Sequence, residues 1–400
     1  MTTYLIAAAM VDVEAGRLVR QAAVVVEADR IIRAGPRAEA GVPPKTAEAI
    51  DLGSLTLLPG LVDCHVHLVW EGQPDPKADT LREDPTLAAY RAARSARRTL
   101  EGGVTLVRDT GAPHRVNVSV ARAVEQGMIE GPRVVACASP IAMTGGHGWW
   151  MAREVDGPFE ARKGVREQLK AGAGGVKIMA SGGAYTEREG IHEAQLTPEE
   201  IRAAVEEAHA GSVRVAAHAV NARAIRAAVE AGVDTVEHGP FLDDELTALM
   251  KAKGTWLVPT VAPYHTMAEL GTAAGVPAYA VEKSRQVMAV YFDTARRAVE
   301  AGVSVALGTD AGSPALPHPA VHVEAALWAE RAGVPAGQVL RAATLGGASA
   351  LGLAGQAGSL AAGRWADVIA VDGNPLEDIR ALGRVRFVMK GGRVVRRVAP

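Results

Sequence analysis

"VNARAIRAAVEAGVDTVEHG", residues 220–239, contains the unit from which most of this chain is built. A segment rich in Ala, Arg and Glu runs to Gly232, and a Val-rich run follows at once. Glycine after a helix supplies a left-handed cap, and a short β-branched run suits a strand buried in a parallel sheet. The same junction recurs as "EGGVTLVRD" at 101–109, "AGGVKIMAS" at 173–181, "AGSVRVAAH" at 210–218, "AKGTWLVPT" at 252–260 and "AGVSVALGTD" at 301–310. With "LLPGLVDCHVHL" at 57–68 and "PRVVACAS" at 132–139 the strands number eight. Helical stretches are expected at 85–102, 116–127, 159–172, 197–211, 220–231, 243–253 and 280–301. Eight βα units predict a (β/α)8 TIM barrel. The rival, a doubly wound open sheet, lacks its glycine-rich phosphate fingerprint after the first strand.

The chain ends follow another pattern. Residues 1–56 and 358–400 alternate apolar and polar, with turns at "EAGR", "AAGRW", "DGNP" and "KGGR". These are β-hairpin signals, so both ends are expected to join in one small β-sandwich domain. The barrel would then span 57–357.

Composition narrows the function classes. The 400 residues are 48% hydrophobic and 22% charged, ordinary for a globular protein with a sizeable core. A net charge of −2 gives no electrostatic reason to expect nucleic acid or an anionic membrane as partner. The two cysteines, Cys64 and Cys137, make no disulfide framework and lack metal-finger spacing. The apolar run near the start has no Lys or Arg before it and acids after it, at Asp12 and Glu14, the reverse of a secretory signal. No apolar stretch approaches the ~20 residues that span a bilayer. The expectation is a cytoplasmic protein acting on a small molecule, and homo-oligomeric.

In a barrel of this kind, catalytic groups sit at the C-terminal ends of the strands. Here those ends carry His65 and His67 on strand 1, Lys177 on strand 4, His218 on strand 5, His238 on strand 6 and Asp310 on strand 8. Side chains alternate along a strand, so His65 and His67 point the same way, about 6.6 Å apart along the backbone. Each residue alone has an ordinary reading: a hydrogen-bonded structural histidine, a turn or N-cap aspartate, a snorkelling lysine. Six such groups at one end of an apolar barrel need partners, because unpaired buried polar groups are costly. A divalent ion, zinc or similar, would satisfy four imidazoles and a carboxylate together.

The set "DCHVH", "VKIMASGG", "AAHAVNARAI", "TVEHG" and "LGTDAG" resembles the metal-dependent amidohydrolase superfamily over nearly the whole chain. Within it, "TGGHG" at 144–148, "EHGPFLDDE" at 237–245 and the tail "GSLAAGRWADVIAVDGNPLEDI" at 358–379 resemble most the prolidase-type (Xaa-Pro dipeptidase) branch, related to imidazolonepropionase. The resemblance implies two divalent metal ions. His65, His67 and Asp310 would hold one, His218 and His238 the second, and Lys177, carboxylated on its amine, would bridge them. It further implies amide hydrolysis by a metal-bridging hydroxide, with Asp310 as general acid and base.

Substrate contacts are expected from His147 on the glycine-rich loop after strand 3, from Tyr185 past Lys177 and from Tyr264 past strand 7. His147 is also a candidate catalytic group. Arg108 is expected to pair with Asp109 or another carboxylate. Two departures from the branch bear on the substrate. Val220 stands where relatives often carry Tyr or His, and Trp149 and Trp150 stand where small or acidic residues are common. The two indoles predict a wider, more apolar pocket wall. His114, His192, His209, His265, His318 and His322 have no motif support and are expected to be structural or superficial.

Three readings follow. The leading one is a two-metal hydrolase of Xaa-Pro-type dipeptides or N-acyl amino acids. A second is a hydrolase of cyclic amides, lactones or phosphotriesters with the same site. A third, a scaffold that keeps the fold without catalysis, would be expected to lack ligands, and all six are present.

Overall fold

The computed structural model describes residues 2–398. Its barrel strands are Leu61–Val66, Val104–Asp109, Arg133–Ala136, Val176–Met179, Val215–Ala219, Thr235–His238 and Trp256–Val258, all parallel to their neighbours, with 304–311 as the eighth member. The third and fourth strands meet through Gly174 N–H on the Ala136 carbonyl at 2.9 Å. Closure runs through the eighth segment. Leu257 N–H donates to the Ser304 carbonyl at 2.9 Å on one side, and Cys64 N–H donates to Leu307 at 2.9 Å on the other.

That eighth segment bonds to both neighbours yet forms only isolated bridges, at Val305 and Ala311. Two features of "VALGTD" explain the irregularity. A Cβ at Gly308 would lie 2.5 Å from Val258 Cγ1 and 2.8 Å from His65 Cβ, so the backbones touch there. Asp310 then takes φ +54°, outside the range of a regular strand.

Helices cover the outside at Pro85–Glu101, Val116–Glu125, Pro158–Ala171, Pro198–Ala210, Ala222–Ala231, Asp244–Lys253 and Ala278–Glu300. The expected glycine cap holds at Gly232, which is left-handed with φ +89°. It fails at Gly211, whose φ is −84°, and Ser212 carries the positive φ instead. A Cβ at 211 would meet Leu169 Cδ1 at 2.9 Å, so a larger residue there would displace that side chain. The helix faces close over the strands in one cluster that joins Ile178, Ala217, Val236 and Leu257 to Ile201, Ile225 and Leu246. Truncating one such buried side chain, Ile225 for example, to alanine costs about 2–5 kcal/mol.

Both chain ends enter one eight-stranded sheet, in the order Arg393–Arg397, Val385–Lys390, Val368–Val371, Thr56–Pro59, Thr2–Asp12, Arg17–Glu27 and Arg30–Pro36, with Glu48–Asp51 also on Thr2–Asp12. The first two strands form the expected hairpin, Asp12 opposite Arg17. Leu5, Val24, Leu57, Val368 and Phe387, from five of its strands, share one hydrophobic cluster. Thr56–Pro59 pairs with Val368–Val371 and leads directly into the first barrel strand. Among the described residues no helix is long and apolar enough to cross a membrane.

Candidate active site

The six residues named from the barrel strands all come together, and all are buried, although Lys177 sits second in its strand Val176–Met179 and not at its end. The His65 ring lies 5.7 Å from that of His67 and 5.0 Å from that of His238, which is 4.6 Å from His218. Asp310 Oδ1 is 3.4 Å from His67 Nε2 and 3.7 Å from His65 Nε2. One ligand atom each from His65, His238 and Asp310 falls within 4.8 Å of the others. Lys177 faces the same centre, its charge acting on His65, His218, His238 and Asp310.

The backbone departs from regular strand geometry to achieve this. Thr235 and Glu237 both bond to Arg108 inside the barrel, so alternation would turn His238 away from it. His238 instead takes φ +70°, which swings its ring over the mouth. Asp310, with φ +54°, is the second ligand candidate in this region. Such conformations cost energy and persist only where surrounding bonds enforce them. Asp310 N–H donates to the His65 carbonyl at 2.7 Å, and the Tyr291 hydroxyl donates to the His238 carbonyl at 2.8 Å.

Three of the four imidazoles are oriented by a partner on Nδ1, and the fourth, His218, by the Gly182 carbonyl 3.1 Å from its Nε2. His65 Nδ1 lies 2.7 Å from Glu237 Oε2, His67 Nδ1 2.7 Å from the Gly111 carbonyl, and His238 Nδ1 2.6 Å from Thr260 Oγ1. Hydrogen bonds of this kind set tautomer and ring direction, turning the Nε2 electron pairs of His65 and His67 toward Asp310, with the Thr110 hydroxyl 3.4 Å from His67 Nε2. Arg108 holds Glu237 in turn, its Nη2 2.6 Å from Oε1, while its Nε donates to the Cys64 carbonyl at 2.8 Å. The partner of Arg108 is thus Glu237 and not Asp109. Asp109 is occupied with Leu68 N–H, Gly111 N–H and Asn117 Nδ2. Asp63 ties the first strand to the eighth, accepting from Thr309 N–H at 3.0 Å and from its hydroxyl at 2.6 Å.

Burial, with the Lys177 charge second, holds His65 well below the usual imidazole range. Burial likewise depresses His218, aided by His147, and His238, aided by His65. These rings are neutral at physiological pH, the state that binds metal. Burial also lowers the Lys177 ammonium; Glu237 opposes that shift and Arg108 adds to it. The Asp310 carboxyl is raised by burial against the pull of Lys177. Neutral imidazoles and a carboxylate crowded in a buried centre fit a borderline divalent ion.

The remaining candidates surround this centre unevenly. His147 is buried and stacks on His218 at 4.3 Å, its Nδ1 bonded to Glu189. Tyr264 is buried with its ring 5.9 Å from His238, and the Asp310 charge reaches both it and Tyr185. Val220 is fully buried, its N–H on Ser181 Oγ at 2.9 Å. Trp149 is half-buried with Lys77 Nζ 5.8 Å from its ring centroid, whereas Trp150 packs on Trp70, which packs on His67. Of the histidines without motif support, His318 reaches the site, 3.2 Å from the His67 carbonyl.

Sequence reasoning assigned no role to Glu237, Glu189, Thr260 or Trp70. Glu237 stands beside His238 inside "TVEHG" and was visible only as the wrong phase of a strand. Glu189 lies in the irregular stretch 182–195, where no periodicity marks it.

Residues 56–395 match the model of the amidohydrolase family. Ochratoxinase of Aspergillus niger is 32% identical over 416 aligned residues, covering 95% of this chain and 84% of the relative. A crystal structure of a Xaa-Pro dipeptidase with methionine bound in its active site superposes with a TM-score of 0.90 at 31% identity, over 98% of this chain and 99% of that one. A prolidase complexed with N-methylphosphonate-L-proline gives 0.89 at 33% identity, over 99% and 100%.

Proposed function

From the premise that this chain belongs to the amidohydrolase family and is a hydrolase, we propose that it cleaves amide bonds with the help of two divalent ions, zinc foremost. Its substrates in this reading are N-acyl amino acids or Xaa-Pro-type dipeptides. The observation that carries the reading is the convergence of His65, His238 and Asp310 within 4.8 Å, beside His67, His218 and Lys177. His65, His67 and Asp310 would hold one ion, His218 and His238 the other, with Lys177 as its carbamate between them. Burial favours the neutral amine that carboxylation needs. When bound, the ions supply an acidified water as nucleophile and polarise the scissile carbonyl.

The chain's own groups do the rest. Asp310, raised by burial toward neutrality, takes the proton of the attacking water and hands it to the leaving nitrogen. His147, fixed by Glu189, presents its other edge to the acyl group. Glu237 keeps His65 aimed while Arg108 keeps Glu237 in place. The aromatic flank of Trp70, Trp149 and Trp150 favours a bulky apolar acyl group over a small one.

The test is a screen of zinc-loaded protein against dipeptides and N-acyl amino acids, together with metal analysis. About two ions per chain are expected, with hydrolysis of members bearing bulky acyl groups. Replacing Lys177 by Ala is expected to cost metal, with partial rescue by short carboxylic acids. A fully active alanine variant holding both ions would rule out the bridge, and a metal-loaded protein inert to the whole library would rule out the reading.

A further inference from the structure

Two buried hydroxyl oxygens beside Asp310, Tyr185 Oη and Ser313 Oγ, make no well-formed hydrogen bond with protein; Ser313 N–H donates to the Asp310 carbonyl at 3.2 Å. Native proteins satisfy nearly all buried polar groups, with protein, ordered water or a bound group, so each one left over calls for an occupant or another explanation. The Tyr185 phenol and the Ser313 hydroxyl lie beside the Asp310 carboxylate. The Ser313 hydroxyl lies close enough to favour the charged forms of both neighbours, in contacts that fall short of full hydrogen-bond geometry.

The position of Tyr185 is not left to chance. The Tyr279 hydroxyl donates to its carbonyl at 3.2 Å, and Lys283 Nζ donates to the Thr186 carbonyl at 2.6 Å. Gly183 N–H is fixed on Glu189 at 2.8 Å. The long helix Ala278–Glu300 thus pins the backbone on either side of a hydroxyl that itself makes no well-formed hydrogen bond.

Chemistry selects the occupant. Both hydroxyls can donate, so the group they suit is rich in acceptors. A carboxylate has four lone-pair directions and accepts from both. Connectivity agrees. If Asp310 hands a proton to the leaving nitrogen, the next carbon but one from that nitrogen is the carboxylate of the released amino acid. Whatever flanks Asp310 on the leaving side therefore meets that carboxylate.

We propose that Tyr185 and Ser313 form the subsite that reads the free α-carboxylate of the amino-acid half of the substrate. This rests on the amide-hydrolase reading above and deepens it. The protein requires a terminal carboxylate and recognises it with neutral donors instead of an arginine.

The experiment follows benzoate release from N-benzoyl-phenylalanine and from its C-terminal amide, using the zinc-loaded protein and its Tyr185→Phe and Ser313→Ala variants. The wild type is expected to prefer the acid at least tenfold in kcat/KM. Each variant is expected to lower that preference about tenfold, mainly through a higher KM for the acid. Tyr185→Phe removes one oxygen that makes no well-formed hydrogen bond with protein, so its folding is not at stake. Equal losses on acid and amide, or an unchanged preference, would overturn the carboxylate subsite while leaving amide hydrolysis standing. No benzoate from either compound, and no cleavage of any dipeptide or N-acyl amino acid, would overturn both.

Discussion

His65 Nδ1 sits 2.7 Å from Glu237 Oε2, and the other oxygen of that carboxylate lies 2.6 Å from Arg108 Nη2. Neither Glu237 nor Arg108 reaches the centre where the ligand atoms meet, yet together they decide which nitrogen of His65 carries its proton. Replacing Glu237 by Ala leaves Arg108 as an unpaired buried cation and His65 free to rotate. Metal affinity is expected to fall by about 10–100-fold, the usual effect of losing such a support. Competition with a graded chelator measures it. Unchanged affinity in a folded Glu237→Ala protein would contradict this role.

Asp310 combines a left-handed backbone, φ +54°, with a carboxyl raised by burial. Asn tolerates that backbone better than most residues and keeps one metal-binding oxygen. Asp310→Asn is therefore expected to fold and to retain most of its metal while losing about 10²–10⁴-fold in kcat, the range of a lost general acid–base. Parallel metal analysis and steady-state kinetics separate the two effects. Near-normal turnover would remove Asp310 from proton transfer.

The positions of His65, His67, Lys177, His218, His238 and Asp310 were legible because each lies in or just after a short apolar run at a recurring junction; Lys177 is the second residue of its strand, not its end. What supports them was not, for reasons that differ from residue to residue. Glu237 is hidden because His238 breaks the alternation of its own strand through a positive φ. The helix Val261–Leu270, which carries Tyr264, contains Pro263, and proline reads as a helix breaker. It lies in the first turn, where its missing N–H costs nothing. That turn is capped from far along the chain, by Glu324 accepting from Val261 N–H at 2.9 Å and Ala262 N–H at 2.6 Å. A cap supplied by a residue 63 positions away leaves no local trace.

His147 is held by Glu189, which also accepts from Gly183 N–H and Gln195 Nε2, each at 2.8 Å. Burial alone would raise the Glu189 carboxyl. The His147 charge and these bonds outweigh it and leave the group below its usual range. Glu189→Ala is expected to release the ring of His147 from its stack on His218. A misplacement of about 1 Å can cost on the order of 10²-fold in rate, so kcat/KM should drop by about 10–100-fold with metal retained. A variant that loses metal instead would show that Glu189 supports the ligands and not His147.

Lys390 joins the terminal sheet to the barrel, its Nζ 2.6 Å from the Gly131 carbonyl and its charge beside Arg133, Asp367 and Arg393. Burial first, and Arg133 next, push its ammonium down to about 8. In the unfolded chain the same group titrates near about 10.4. Below pH ~8 both states hold the proton, and folding bears the full cost of burying the charge. Between pH ~8 and ~10.4 only the unfolded chain holds it, so the Lys390 contribution to stability improves as pH rises through that window. Lys390→Met keeps the apolar stem and removes the titrating group. The melting temperature of the Met variant minus that of the wild type is expected to fall steadily from pH 8 to pH 10. A difference that stays flat, or that grows, would show that the contact at Gly131 holds a fully protonated lysine in the folded protein.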